Sequence, residues 1–245
     1  MTRRYALVTG ASRGIGAAIA RRLAGEGYDL TLAARRESPL DEVAGELAAG
    51  GAIVQAVTGD LSSEEEVRRV ADAHLERFPL LHLLVLSAGM SFAGEVADFP
   101  LRRLDRMVAV NLRAPVVLVQ ACLPALRRAA AEGPVRGARV VALASLSGVV
   151  AEPSLGLYGA TKAALISLCE AVTVEESAHG VSATAVSPGF VDTDMGAWAA
   201  DRIEPSSMLE AADIAELVVS LTRLSARAVV PNLVVARAGE QVWRA

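Results

Sequence analysis

Thr9-Gly10-Ala11-Ser12-Arg13-Gly14-Ile15-Gly16 follows the apolar run Tyr5-Ala6-Leu7-Val8 and opens a helical pattern over residues 15–26. Glycines at 10, 14 and 16 permit a tight turn and close approach of the backbone. A helix that begins inside this loop points its unpaired N–H groups outward, where they and the helix dipole favour a negatively charged group such as a pyrophosphate. What separates the stretch from an ordinary tight turn is its place, directly after an amino-terminal strand and before a helix.

The same rhythm continues along the chain. Strand-length apolar runs fall at residues 5–9, 29–33, 52–57, 82–86, 138–144, 181–187 and 232–236. Between them lie helical patterns at 15–26, 39–49, 63–78, 101–131, 158–179 and 210–224. Short strands alternating with amphipathic helices predict βαβ units, so the expected fold class is α/β: a Rossmann-type doubly wound parallel sheet of about seven strands with helices on both faces. The unbroken apolarity of Val140-Val141-Ala142-Leu143-Ala144 fits a strand covered on both sides. With no linker-like stretch and no repeat, residues 1–245 are expected to form one domain. The turn-rich Glu132-Gly133-Pro134-Val135-Arg136-Gly137 joins a long helix to its next strand, and residues 189–208, which include Trp198, are expected to form a substrate lid.

Composition narrows the function classes. Hydrophobic residues make up 53% and charged residues 21%, which excludes a disordered chain. A formal net charge of −4 with no basic stripe argues against nucleic acid as a partner. Cys122 and Cys169 lack CxxC spacing, and His74, His82 and His179 are scattered, so neither a disulfide framework nor a metal site is expected. No signal-peptide pattern precedes the first strand, and the apolar stretches, such as residues 114–126, read as too short to cross a bilayer. A cytoplasmic protein without membrane attachment is the expectation.

The glycine spacing is GxxxGxG, not the GxGxxG of the common dinucleotide fingerprint, and it resembles the short-chain dehydrogenase/reductase family. The end of the second strand reads Leu32-Ala33-Ala34-Arg35-Arg36, with no carboxylate until Glu37. An NAD site places an acid there for the ribose hydroxyl, whereas a 2′-phosphate suits a guanidinium fork. Arg35, with Arg13 from the glycine loop, is similar to the family's NADP(H) pattern. The resemblance further implies that Gly10, Ser12, Gly14, Ile15 and Gly16 contact the dinucleotide, together with Asp60 and Leu61 after the third strand. Ser87, Ala88 and Gly89 after the fourth strand join them. So do Pro188, Gly189, Val191 and Thr193 in a segment like the family's PGxVxT.

Tyr158 and Lys162 stand at i,i+4 near the start of a helical pattern, one above the other on the same face. A free tyrosine has a pKa of about 10, and a neighbouring ammonium favours the phenolate, so the pair suits a general acid in reduction and base in oxidation. The family resemblance assigns both residues to cofactor binding as well. Ser145 lies thirteen residues before Tyr158, with Gly148 three residues after it. By resemblance Ser145 orients the substrate carbonyl, with Ser147 a rival. Asn111 sits where the family has an asparagine that holds a water in a relay with the lysine.

Two departures stand out. Leu86-Ser87-Ala88-Gly89 replaces the family's Asn-Asn-Ala-Gly, and the carboxyl end lacks the Asp-Gly-Gly of many fatty-acid-type reductases. The resemblance implies NADP(H)-dependent transfer of a hydride between nicotinamide and a ketone or secondary alcohol, by a homodimer or homotetramer. The substrate stays open between an acyl-thioester carbonyl and a small or cyclic ketone, with Met195, Trp198 and Met208 expected to make an apolar pocket. A non-catalytic NADP(H)-binding regulator of the same fold is the alternative, and it would be expected to lack Tyr158 or Lys162.

Overall fold

The computed structural model describes residues 3–195 and 204–239. The strands are β1 (Arg4–Thr9), β2 (Tyr28–Ala34), β3 (Val54–Thr58), β4 (Leu83–Leu86), β5 (Ala138–Leu143), β6 (Val181–Pro188) and β7 (Asn232–Val235). The helices are α1 (Gly14–Gly25), α2 (Glu37–Ala49), α3 (Glu64–Arg77), α4 (Leu101–Val108), α5 (Ala114–Glu132), α6 (Gly156–Glu176) and α7 (Ala211–Arg223). The strands form one sheet in the order β3-β2-β1-β4-β5-β6-β7, and every neighbouring pair is parallel.

Successive strand residues face opposite layers. Leu7, Leu84, Val140 and Ala142 pack with α3, α5 and α6, while Val8, Val85, Val141 and Leu143 pack with α1, α2 and α7. Both faces are therefore covered, which is why β2, β5 and β6 are buried along their whole length. The chain winds outward from β1 through β2 to β3, then returns to build β4 to β7 on the other side. The reversal falls between β1 and β4, and a crevice opens there beyond the carboxyl ends of the strands.

Two expectations need correction. The single helix expected over 101–131 is divided, because a π-helical turn, Ala109–Arg113, separates α4 from α5. Pro115 has no N–H to give the Asn111 carbonyl, so the α-helical register cannot continue there. The length argument against membrane-crossing helices also fails. Leu101–Glu132 and Gly156–His179 are long and apolar enough by length and composition. Their apolar residues go into the fold instead: Val117, Leu118, Leu126, Leu165 and Val172 lie in the core beside the sheet.

The expected lid is pinned at both ends. Asp192 N–H donates to the Leu209 carbonyl at 2.9 Å, and Leu209 N–H donates to that of Phe190 at 3.0 Å. Residues 205–207 make one 3-10 turn, and Trp198 lies outside the described residues.

Candidate active site

The glycine loop has the close approaches its sequence predicts. Gly10 (φ +67°) and Gly14 (φ +54°) occupy the left-handed region, where an L side chain is strained. A Cβ on Gly16 would sit 2.3 Å from the Gly10 carbonyl oxygen, and one on Gly10 would sit 2.9 Å from the Ala88 backbone. The second of these contacts couples the β1 loop to the β4 loop. Thr9 completes the tie: its hydroxyl oxygen accepts the N–H groups of Ser87 at 3.1 Å and Ala88 at 3.2 Å, and donates to the Val85 carbonyl at 3.3 Å. Thr9 thus holds the loop in which Ser87 departs from the family's pattern. Sequence reasoning quoted Thr9 as part of the glycine loop and gave it no role.

A cleft of about 790 Å³ runs along the crevice. Ser12, Arg13, Ile15, Arg35, Asp60 and Leu61 line one part of it; Ser87, Ala88, Gly89, Pro188, Gly189, Val191 and Thr193 line another. Ser145, Ser147, Tyr158 and Lys162 border the same space. Arg35 and Arg36 are exposed at its end, and among the described residues Arg35 makes no ion pair. The Asp60 carboxyl is held below the usual carboxylate range by the N–H and hydroxyl of Ser62, at 2.9 and 2.8 Å, with Arg35 and Arg106 adding to it. Ser63, not Asp60, caps α3, accepting the Glu66 N–H at 3.4 Å. Arg13 makes an ion pair with Asp194 across the cleft mouth.

Glycines also set the end of the cleft bordered by Ser145, Tyr158 and Lys162. A Cβ on Gly148 would lie 2.9 Å from Lys162 backbone, and one on Gly159 would lie 2.3 Å from the Ser147 carbonyl oxygen. The turn carrying Ser145 therefore lies directly on the first turns of α6. Ser145 Oγ accepts the Ser147 N–H at 3.2 Å and hydrogen-bonds toward Tyr158. Lys162 Nζ donates to the Leu143 carbonyl at 2.7 Å and stands 5.8 Å from the Tyr158 ring centroid.

Asn111 is the one candidate that does not border the cleft. It is fully buried, and its amide is spent on neighbours: Oδ1 accepts Met90 N–H at 2.8 Å, while Nδ2 donates to the Met90 carbonyl at 2.8 Å and to Thr161 Oγ1 at 3.0 Å. Thr161 Oγ1 in turn donates to the Tyr158 carbonyl at 2.7 Å. The amide's two N–H groups are both used, so a water would have to meet Asn111 through an oxygen. Thr161 was missed by sequence reasoning, although it stands inside the Tyr158–Lys162 motif.

Burial pushes the Tyr158 phenol up to about 12, with the Ser145 hydroxyl pulling against it, and burial brings Lys162 down to about 8. Desolvation is thus the largest influence on both groups in the chain alone.

Part of the lining is apolar. Phe92, Leu155, Phe190 and Met195 line the cleft, while Met208 is buried away from it. Next to Leu155, Ser154 stands at φ +63°; its carbonyl accepts Gly94 N–H at 2.9 Å and its hydroxyl donates to Glu95 at 3.1 Å.

The chain is 34% identical over 218 residues to an uncharacterized oxidoreductase of Staphylococcus epidermidis, covering 88% of this chain and 89% of that protein. Among solved structures it resembles the alcohol dehydrogenase of the archaeon Thermococcus sibiricus complexed with 5-hydroxy-NADP. The TM-score is 0.86 and the identity 30%, over 96% of this chain and 97% of that one. A short chain dehydrogenase of Burkholderia cenocepacia in complex with NADP gives a TM-score of 0.83 and 32% identity, over 95% and 96% of the two chains. Residues 4–203 match the family model described as short chain dehydrogenase, and with the parallel sheet and the cleft at its switch point this places the chain in the short-chain dehydrogenase/reductase family of oxidoreductases.

Proposed function

We propose that this chain is an NADP(H)-dependent oxidoreductase that interconverts a ketone and a secondary alcohol. The observation that carries the reading is the arrangement of one cleft: Ser145, Tyr158 and Lys162 border it, and Arg35 and Arg36 flank it where an NAD site would have an acid. Its NADP-bound relatives support the same choice.

The residues fit the cofactor. Gly10, Ser12, Gly14, Ile15 and Gly16 would receive the pyrophosphate through backbone N–H groups, and a side chain on Gly16 would collide with the loop itself. Arg13 and Arg35 would take the 2′-phosphate, Asp60 and Leu61 the adenine, and Ser87, Ala88 and Gly89 would give the backbone room. Pro188, Gly189, Val191 and Thr193 would hold the carboxamide, and Lys162 the ribose. When bound, NADP(H) would supply or accept the hydride.

Ser145 Oγ would hold the substrate oxygen beside Tyr158 Oη. Tyr158 Oη would donate a proton to that oxygen in reduction and take it back in oxidation. Burial keeps the phenol protonated at neutral pH, so the chain stands ready as the acid. Asn111 and Thr161 act as positioning residues, fixing the α6 turn that carries Tyr158. Phe92, Leu155 and Met195 would exclude water from the reacting atoms.

The test is cofactor consumption with a panel of apolar ketones and 3-oxoacyl thioesters, using NADPH and NADH in parallel. At least one ketone should be reduced, with a higher kcat/KM for NADPH. Tight NADPH binding with no turnover across the panel would favour a regulator and sink the enzyme reading.

A further inference from the structure

Arg13 has a partner that its assigned role does not use. It is the residue before α1, on the glycine-loop side of the cleft. Asp194 lies 181 positions away in sequence, on the opposite wall, where the chain leaves Val191 and Thr193. Their side chains are joined by an ion pair although each is more than half exposed, at 57% and 68%. Beneath them the walls already touch: a Cβ on Gly14 would lie 3.2 Å from Thr193 Cγ2. The pair is therefore a bridge across the open edge of the cleft.

We propose that Asp194 is a determinant of cofactor affinity and selectivity, because its carboxylate occupies the guanidinium of Arg13 and must be displaced by a 2′-phosphate. The proposal rests on the NADP(H) reading above. An exposed ion pair is weak, so it yields readily. A phosphate monoester carries close to two negative charges at neutral pH and offers more acceptors than a carboxylate. It would also meet Arg35, which has no ion pair among the described residues. The exchange thus runs from one charge on one arginine to nearly two charges shared by two arginines. A ribose hydroxyl, as in NAD(H), has no charge with which to compete, so the bridge stays closed. Two consequences follow: Asp194 lowers NADPH affinity below what Arg13 could give, and 2′-phosphate binding frees the Asp194 carboxylate.

The test is equilibrium titration of NADPH and NADH against the unmodified protein, Asp194→Asn, Asp192→Asn, Arg13→Ala and the Arg13→Ala/Asp194→Asn double variant. Asp194→Asn should tighten NADPH about two- to fivefold, the range of an exposed ion pair, and leave NADH unchanged. The gain should shrink at high salt. Asp192 is also exposed but does not border the cleft, so Asp192→Asn should leave both affinities unchanged. Arg13→Ala should weaken NADPH, and adding Asp194→Asn to it should change nothing further. If Asp194→Asn fails to tighten NADPH, tightens both cofactors equally, or is matched by Asp192→Asn, the proposal is overturned while the NADP(H) reading stands. If the unmodified protein binds neither nucleotide, both are overturned.

Discussion

Burial makes the Lys162 ammonium easier to deprotonate than that of a surface lysine, although Nζ donates to the Leu143 carbonyl. Removing its charge should therefore affect two steps: Lys162→Met is expected to weaken NADPH binding as well as turnover, as seen by cofactor titration beside steady-state kinetics. Ser145 and Ser147 separate more finely. Ser145 Oγ is the hydroxyl directed at Tyr158, whereas Ser147 gives its N–H to Ser145 and its carbonyl to the close contact with Gly159. Ser145→Ala should lower kcat roughly 10- to 100-fold, with Ser147→Ala milder; the reverse order would show the serine to be misassigned. At the other end of the cleft, Arg35→Asp should flatten or reverse the NADPH preference, read as the ratio of kcat/KM values for the two cofactors. Equal kinetics with NADPH and NADH in the unmodified protein would already contradict that assignment. Tyr158, Lys162 and Arg35 were legible because local spacing and a strand end announce them. Thr161 and Asp194 were not, because their importance comes from partners 50 and 181 residues away.

The elements matter through where they touch. The strands and most helices follow from hydrophobic period, and their ends agree to within a few residues. The π-turn at Ala109–Arg113 escaped that reading because apolar residues recur through it without a gap, while the cause is a missing donor at Pro115 and a buried network around Asn111. π-turns of this kind are common at functional sites. The contact between the Ser145 turn and α6 was likewise invisible except for its glycines. Gly159→Ala places a methyl 2.3 Å from a backbone oxygen that belongs to the Ser145 turn. It should cost about 1–3 kcal/mol of stability, as overpacking does, and lower turnover more than NADPH affinity. Chemical denaturation and cofactor titration on the same preparation measure both; a variant with full stability and full turnover would contradict the packing described.

At the scale of the molecule, the buried His74 and the half-buried His82 tie stability to pH. Burial lowers His74 from 6.5 to about 4, against a weaker pull from the Leu80 carbonyl, and lowers His82 to about 4, with Arg4 adding to the shift. The unfolded chain binds these protons first, so the stability is full above pH about 6.5 and is lost as pH falls toward 4. For His74 the shift corresponds to roughly 3 kcal/mol. Denaturation midpoints should fall across this window, and His74→Gln should reduce the slope; a flat profile would contradict it. The outer side of α6 adds a prediction about assembly, since Val174 is 81% exposed beside exposed alanines at 160, 163 and 171. This leads us to expect a homodimer or homotetramer by light scattering, and a monomeric mass at micromolar concentration would count against it. The whole account converges on one atom, the Tyr158 oxygen. Tyr158→Phe deletes that atom and little else, so the decisive measurement is turnover of a reducible ketone by this variant together with its NADPH affinity. The account predicts near-normal folding and NADPH binding with kcat lower by about 10²–10⁴-fold; near-normal turnover by Tyr158→Phe would contradict it.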